Sequence, residues 1–208
     1  MHPSSKSGLV FATNNIHKFG EIEHLLINSV NLLKLDDIGF TDEIPETQFT
    51  IEGNAAQKAF YIYERYGLGC FADDTGLEIS SLNGEPGVFS ARYAGNGCTF
   101  SDNIELVLKK MNGKVDRNAV FRTVIALVEK GKLTLFEGKI EGTITLNKKG
   151  LSGFGYDPIF QPKGFKKTFA EMTLKEKNEI SHRAIAINHL IDYLKKKDLV
   201  PSINSKFS

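Results

Sequence analysis

The stretch Phe71-Ala72-Asp73-Asp74-Thr75-Gly76-Leu77-Glu78-Ile79 sets two adjacent carboxylates between apolar runs. Cys70-Phe71-Ala72 and Leu77-Glu78-Ile79 read as short strand pieces, and Asp-Thr-Gly between them has the composition of a tight turn at a strand end. Neighbouring carboxylates repel one another and lose hydration on burial. Something must compensate: a hard divalent cation, a catalytic proton or a set of hydrogen-bond donors. The plainest compensation is an Asx-type turn, in which Asp73 or Asp74 accepts from nearby backbone N–H groups. The flanking sequence has to decide between these.

Upstream, Leu9-Val10-Phe11-Ala12 reads as strand and Thr13-Asn14-Asn15 as polar loop, after which Phe19, Ile22, Leu25 and Leu26 recur at helical spacing. Thr13, Asn14, Asn15 and Lys18 thus gather at a helix N-terminus, where free N–H groups and the helix dipole favour phosphate, although the glycines of a P-loop are missing. Plain capping would use the same residues. Val30 to Leu35 reads as a second strand. Asn54 is expected to open a helix with Ala55, Ala59, Ile62, Tyr63 and Tyr66 as its apolar stripe, Gly67 as its stop and Lys58 on a neighbouring face.

Downstream, Thr99 or Ser101 caps a helix carrying Ile104, Val107, Leu108 and Met111. Ala119 to Glu129 and Leu133 to Thr145 are β-rich and flank Lys130-Gly131-Lys132, so they predict an antiparallel hairpin and exclude a purely parallel sheet. In Gly153-Phe154-Gly155-Tyr156-Asp157-Pro158-Ile159-Phe160, glycines admit a ligand close to the backbone. Phe154 or Tyr156 can stack on a base there, or the same rings can plug a turn in the core. Thr173-x-x-Glu176 is a capping box, and Ser181-His182-Arg183 opens a last helix whose core face is Ile187, Leu190, Ile191 and Leu194.

At 208 residues, 41% hydrophobic and 25% charged, the chain is expected to form one domain over 8–198, with flexible ends at 1–7 and 199–208. A net charge of +1 argues against binding nucleic acid or a membrane surface. Charge is nonetheless segregated: Asp36 to Gln57 holds acids and no Lys or Arg, whereas Lys and Arg outnumber acids from Pro162 to Asp198. Joined in the fold, such segments suit a metal-bound polyanion. Cys70 and Cys98 match no zinc spacing or disulfide framework, and neither a signal peptide nor a membrane-spanning run is present, so a cytoplasmic protein is expected.

FATNNIHK, ETQFTIEGNAAQKA, FADDTGLEI, GVFSARYAG, SGFGYDPIF and ISHRAIA, in this order, resemble the motifs of the Ham1 family of noncanonical purine nucleoside triphosphate pyrophosphatases, from about Gly8 to Leu194. The resemblance implies an α/β fold, a mixed twisted sheet with flanking helices and two lobes around a central cleft. It further implies a homodimer and Mg2+-dependent hydrolysis of ITP, dITP and XTP to the monophosphate and pyrophosphate. By position, Asp74 would be the catalytic acid residue and, with Glu46, a metal ligand. Thr13 to Lys18 and Lys58 would hold phosphates. Thr75, Phe154, Gly155, Tyr156, Asp157, Lys177, His182 and Arg183 would meet the rest of the substrate. Thr75 stands where many members carry Ser, and Gly53 where many carry Glu, which leaves Glu52 as a substitute metal carboxylate. Two other readings compete. Asp74-Thr75-Gly76 is also the aspartic protease triplet, but occurs once where that chemistry pairs two. A nucleotide-binding regulator without turnover would have no use for the metal carboxylates.

Overall fold

In the computed structural model the described residues are 8–26 and 29–197, so the ends expected to be flexible, 1–7 and 199–208, lie outside them. Strand β3 (Cys70–Ile79) runs unbroken through Asp73-Asp74-Thr75-Gly76. It pairs antiparallel with β5 (Asn118–Glu129), from Cys70 opposite Val128 to Ile79 opposite Ala119. The turn expected at Asp-Thr-Gly does not form, because β5 supplies a complete ladder. Gly76 serves close packing instead: a Cβ there would lie 2.7 Å from Gly87 O and from Ile51 Cδ1.

The other edge of β3 is covered only at its ends. Parallel β1 (Leu9–Phe11) reaches Cys70 and Phe71, and antiparallel β4 (Pro86–Gly87) meets Leu77 and Glu78. Between them, residues 72–76 have no strand neighbour on that side, and the gap opens the cleft between the lobes. With β2 (Leu32–Leu33), β6 (Lys132–Ile144) and β7 (Phe160–Pro162) the order is β2-β1-β3-β5-β6-β7, with β4 on β3. The sheet is mixed, as the predicted hairpin requires. The second strand is shorter than the Val30–Leu35 expected.

Alternation along the strands divides the core. On one face Phe11, Phe71, Ile125 and Leu127 pack on α1 (Ile16–Leu26) and α5 (His182–Lys196); on the other Val10, Ala72, Val124 and Ala126 pack on α2 (Ile51–Tyr66). A third cluster builds the far lobe, where Leu77, Ile79 and Phe121 meet Ile104 and Val107 of α3 (Phe100–Lys110). Each such buried aliphatic or aromatic side chain contributes about 1.5–3 kcal/mol. Helix α2 begins before the Asn54 expected, because Thr50 is its cap and accepts from Gly53 N. Capping boxes close α3 (Thr99 with Asp102) and α4 (Leu174–Ile180; Thr173 with Glu176).

Helix α5 lies directly on β6 at Gly138, where a Cβ would collide with the His182 carbonyl and sit 2.6 Å from Ala186 N. Gly138→Ala must lift the first turn of α5, which carries His182 and Arg183. Overpacking of this kind costs about 1–3 kcal/mol. A melting curve should show a Tm lower by roughly 3–10 °C; an unchanged Tm would mean that α5 has slack at this contact.

Candidate active site

A cavity of about 460 Å³ occupies the gap beside β3, and the residues singled out in the sequence line it, except Asp73 and Glu52. Thr13, Asn14 and Asn15 come from the β1–α1 connection, Lys18 from the first turn of α1, Glu46 from the irregular segment before α2, and Lys58 from α2. Asp74 and Thr75 come from β3, and Phe154 to Asp157 from the glycine-rich loop. Lys177 lies in the last turn of α4, and His182 and Arg183 begin α5. The β1–α1 loop caps its own helix as foreseen, Asn15 Oδ1 accepting from His17 N at 3.0 Å and Lys18 N at 3.1 Å.

Strand alternation gives the two adjacent carboxylates different surroundings. Asp73 faces the α1/α5 layer, fully buried, and its Oδ2 lies 3.2 Å from both Lys18 Nζ and Arg183 Nε. Burial alone would raise its pKa, but Lys18 and Arg183 prevail and hold the carboxyl far below the usual range. Asp74 faces α2. Asn54 Nδ2 donates to its Oδ2 at 3.3 Å, and Lys58 Nζ stands 3.7 Å from its Oδ1. There burial prevails and raises the Asp74 pKa, aided by the Glu46 and Asp73 charges, against the pull of Lys58 and Lys18. Lys58 also donates to Glu46 Oε1 at 2.5 Å. Burial disfavours its charge, but Asp74 and Glu46 outweigh that and raise its pKa. Burial lowers that of Lys18.

At the opposite end, Arg183 is buried and held by three partners: Nε donates to Asp73, Nη1 to Glu21 Oε2, and Nη2 to Thr75 Oγ1 at 3.2 Å. Glu21 also accepts from Lys177 at 2.7 Å, and Lys177 reaches Asp157 at 2.6 Å. Asp157 in turn accepts from Phe154 N at 2.9 Å, which ties the glycine-rich loop to the network. His182 stacks on Phe121 at 4.6 Å between ring centroids, and its Nδ1 has no partner. Burial, reinforced by Arg183 and Lys177, holds its pKa well below the ordinary histidine value, so the ring is neutral. Of the two candidate stacking rings, Tyr156 is a strut, buried with its hydroxyl donating to Ser90 O at 2.9 Å. Phe154 is half-buried, with Lys177 Nζ 5.2 Å from its centroid and His17 stacked on it at 5.2 Å.

Glu21, Thr123, Ser90, Asn103 and Phe100 also build the site and were not foreseen. Glu21 gave a faint signal, a charge three residues after Lys18 beside apolar Ile22. Thr123, buried opposite Thr75, meets its hydroxyl at 2.7 Å and gave none. Glu52, the substitute metal carboxylate, does not line the cavity and is ion-paired to Arg122 of β5. Among the described residues no cluster of three or more His, Cys, Asp or Glu is placed to hold a metal. Glu46 and Asp74 do converge on one position, that of the Lys58 ammonium. Two hard oxygen donors on a cleft that admits phosphates suit Mg2+, which keeps water and substrate oxygens as its other ligands.

The opposite pKa shifts give opposite stability signs. Asp73 is depressed, so its contribution is complete above the unfolded value near 4 and is lost as pH falls below it. Asp74 is raised, so at neutral pH its charge opposes folding. Asp73→Asn should therefore destabilise by about 3–5 kcal/mol, since it strips a partner from two buried cations, and should flatten the acid limb of stability against pH. Asp74→Asn should melt at or above the wild-type temperature at neutral pH. Melting temperatures in the reverse order would contradict this division of roles.

The geometry agrees with comparisons to known proteins. The Ham1 family profile matches residues 9–193. A dITP/XTP pyrophosphatase of Flavobacterium psychrophilum is 54% identical over 90% of this chain and 98% of its own length; that of Porphyromonas gingivalis is 51% identical over 89% and 96%. Among solved structures, a Staphylococcus aureus Ham1 protein superposes with a TM-score of 0.83 at 36% identity, covering 91% of this chain and 99% of that one. A Coxiella burnetii HAM1 protein gives 0.84 at 37% identity, over 91% and 98%. With the cleft, the β3 carboxylates and the α5 cations all within the matched span, this chain belongs to the Ham1 family.

Proposed function

We propose that the chain is a Mg2+-dependent nucleoside triphosphate pyrophosphatase that hydrolyses ITP, dITP and XTP to the monophosphate and pyrophosphate. The observation that carries this reading is the convergence of Asp74 and Glu46 on the Lys58 ammonium, with Lys18 lining the same cavity, in the cleft of a Ham1-family chain. The single domain over 8–198, the cytoplasmic setting and the homodimer expected from the resemblance belong to the same reading.

Lys18 and Lys58 bind the phosphates and balance their charge. Glu46 and Asp74 would hold the ion, whose chemistry when bound is neutralisation of charge on the phosphate oxygens. Asp74, its pKa raised toward the working range, accepts the proton of the attacking water. With attack at the α phosphorus, the bond to the bridging oxygen breaks and the β and γ phosphates leave together as pyrophosphate.

The base reaches the other end, where Phe154 offers a ring face and the α5 N-terminus offers donors. The amides of His182 and Arg183 are the first of the helix and have no backbone acceptor. A 6-keto oxygen accepts from such groups, whereas the 6-amino group of adenine brings another donor. Arg183 acts here chiefly by position, since its guanidinium is engaged by Asp73, Glu21 and Thr75.

A pyrophosphate-release assay with Mg2+ should give kcat/KM for ITP and XTP about a hundredfold or more above that for ATP, the scale on which unpaired donors reject a ligand. Equal values for ITP and ATP would refute the specificity. Asp74→Asn, which keeps the fold, should lose about a hundredfold in kcat; near-native turnover at saturating Mg2+ would remove Asp74 from the chemistry.

A further inference from the structure

Glu46 sits on a segment with no regular secondary structure, residues 41–50, whereas Asp74 is fixed in the middle of β3. A carboxylate pair that shares a cation needs a fixed separation, and nothing in the Glu46 backbone alone supplies it. The separation is set by α2. Asn54, fully buried, accepts at Oδ1 from Gln48 N (2.9 Å), two residues beyond Glu46, and donates from Nδ2 to Asp74 Oδ2 (3.3 Å). One turn on, Lys58 contacts Glu46 and the other oxygen of Asp74.

The chemistry of the two partners fixes the orientation of the Asn54 amide. Gln48 offers an N–H and so requires an acceptor, whereas the Asp74 carboxylate requires a donor; a flipped amide would satisfy neither. Only an amide of this length bridges both. Asp would lack the donor, Ser would be too short, and Leu would fill the space with no hydrogen bond. Because Asn54 takes Oδ2, the Oδ1 atom of Asp74 is the one that faces Lys58 and Glu46.

We propose that Asn54 is a positioning residue that holds Glu46 and Asp74 at the separation a divalent cation requires, and so sets the metal affinity of the pair. This rests on the assignment of those two carboxylates to the metal. Removing a hydrogen bond to a ligating group typically weakens metal binding 10–100-fold.

The experiment titrates Mn2+ alone into nucleotide-free protein and follows bound metal by electron paramagnetic resonance, with thermal melting as the check on folding. Asn54→Leu, matched in shape, should bind Mn2+ about 10–100-fold more weakly, and raising the metal concentration should restore most of its turnover. Gln48→Pro, at an exposed position, deletes the N–H on the Glu46 arm while fixing φ there, and should weaken binding by a smaller factor. A folded Asn54→Leu with wild-type Mn2+ affinity overturns the proposal. Should that variant fail to fold, an unchanged affinity in Gln48→Pro overturns it equally. Weakened Mn2+ binding in the variants of a wild-type protein that releases no pyrophosphate from ITP would uphold the role of Asn54 while refuting the enzymatic reading. A wild-type protein that hydrolyses ITP yet binds no Mn2+ would do the reverse.

Discussion

A fully buried carboxylate in the middle of a central strand is tolerable only if fixed charges surround it, and Asp73 meets that condition with Lys18 from α1 and Arg183 from α5. The three residues come from opposite parts of the chain, so this contact joins the first helix, the central strand and the last helix at one oxygen atom. Arg183 could not be buried without Asp73 and Glu21, and Lys18 would lose the partner that keeps its ammonium in the cleft. The placement of both ends of the cavity therefore follows from one ion-paired atom on β3.

Alternation along β3 explains why one carboxylate of the pair can be structural and its neighbour reactive. Side chains of successive strand residues point to opposite faces. Asp73 meets two cations and is locked in its charged form, whereas Asp74 meets an amide, one more distant lysine and the repulsion of Glu46. Two groups of the same chemistry, 3.8 Å apart along the chain at Cα, are thus driven in opposite directions. The stability of the fold is vested in the first, leaving the second free to sit where its charge is disfavoured, which is the state a proton acceptor needs.

The amphipathic stripes of α2, α3 and α5 and the long β5–β6 hairpin were legible because their signals are local and periodic. Asp74-Thr75-Gly76 was not: its composition signals a turn, and the ladder that overrides it comes from residues 119–128, out of reach of any local reading. Asn54 was misread as a helix start because a polar residue before an apolar stripe resembles a cap. It is in fact a buried bridge inside the helix, and the true cap is Thr50. Most of the residues that line the cavity were legible through motif order, Phe100, Asn103 and Phe121 excepted. Their supports were not, since Glu21, Thr123 and Asn103 act only through contacts with distant or irregular segments.

Those supports explain how a cleft built from many separate segments holds its shape. Lys18, Asp73, Arg183, Glu21, Lys177 and Asp157 form an unbroken file of alternating charge, from the first turn of α1 at one end of the cavity to the glycine-rich loop at the other. Three cations face three carboxylates, so the file carries no net charge of its own and can be buried as a unit. Its last link, Asp157 to Phe154 N, holds the glycine-rich loop at one end of the cavity, and its first, Lys18, lines the other. Each of the four inner members, Asp73, Arg183, Glu21 and Lys177, is held by neighbours from two other elements, so none of these side chains can change rotamer alone. The cavity is accordingly preorganised at both ends by the same network, and the distance between Lys18 at one end and Phe154 at the other is set by the fold before any ligand enters.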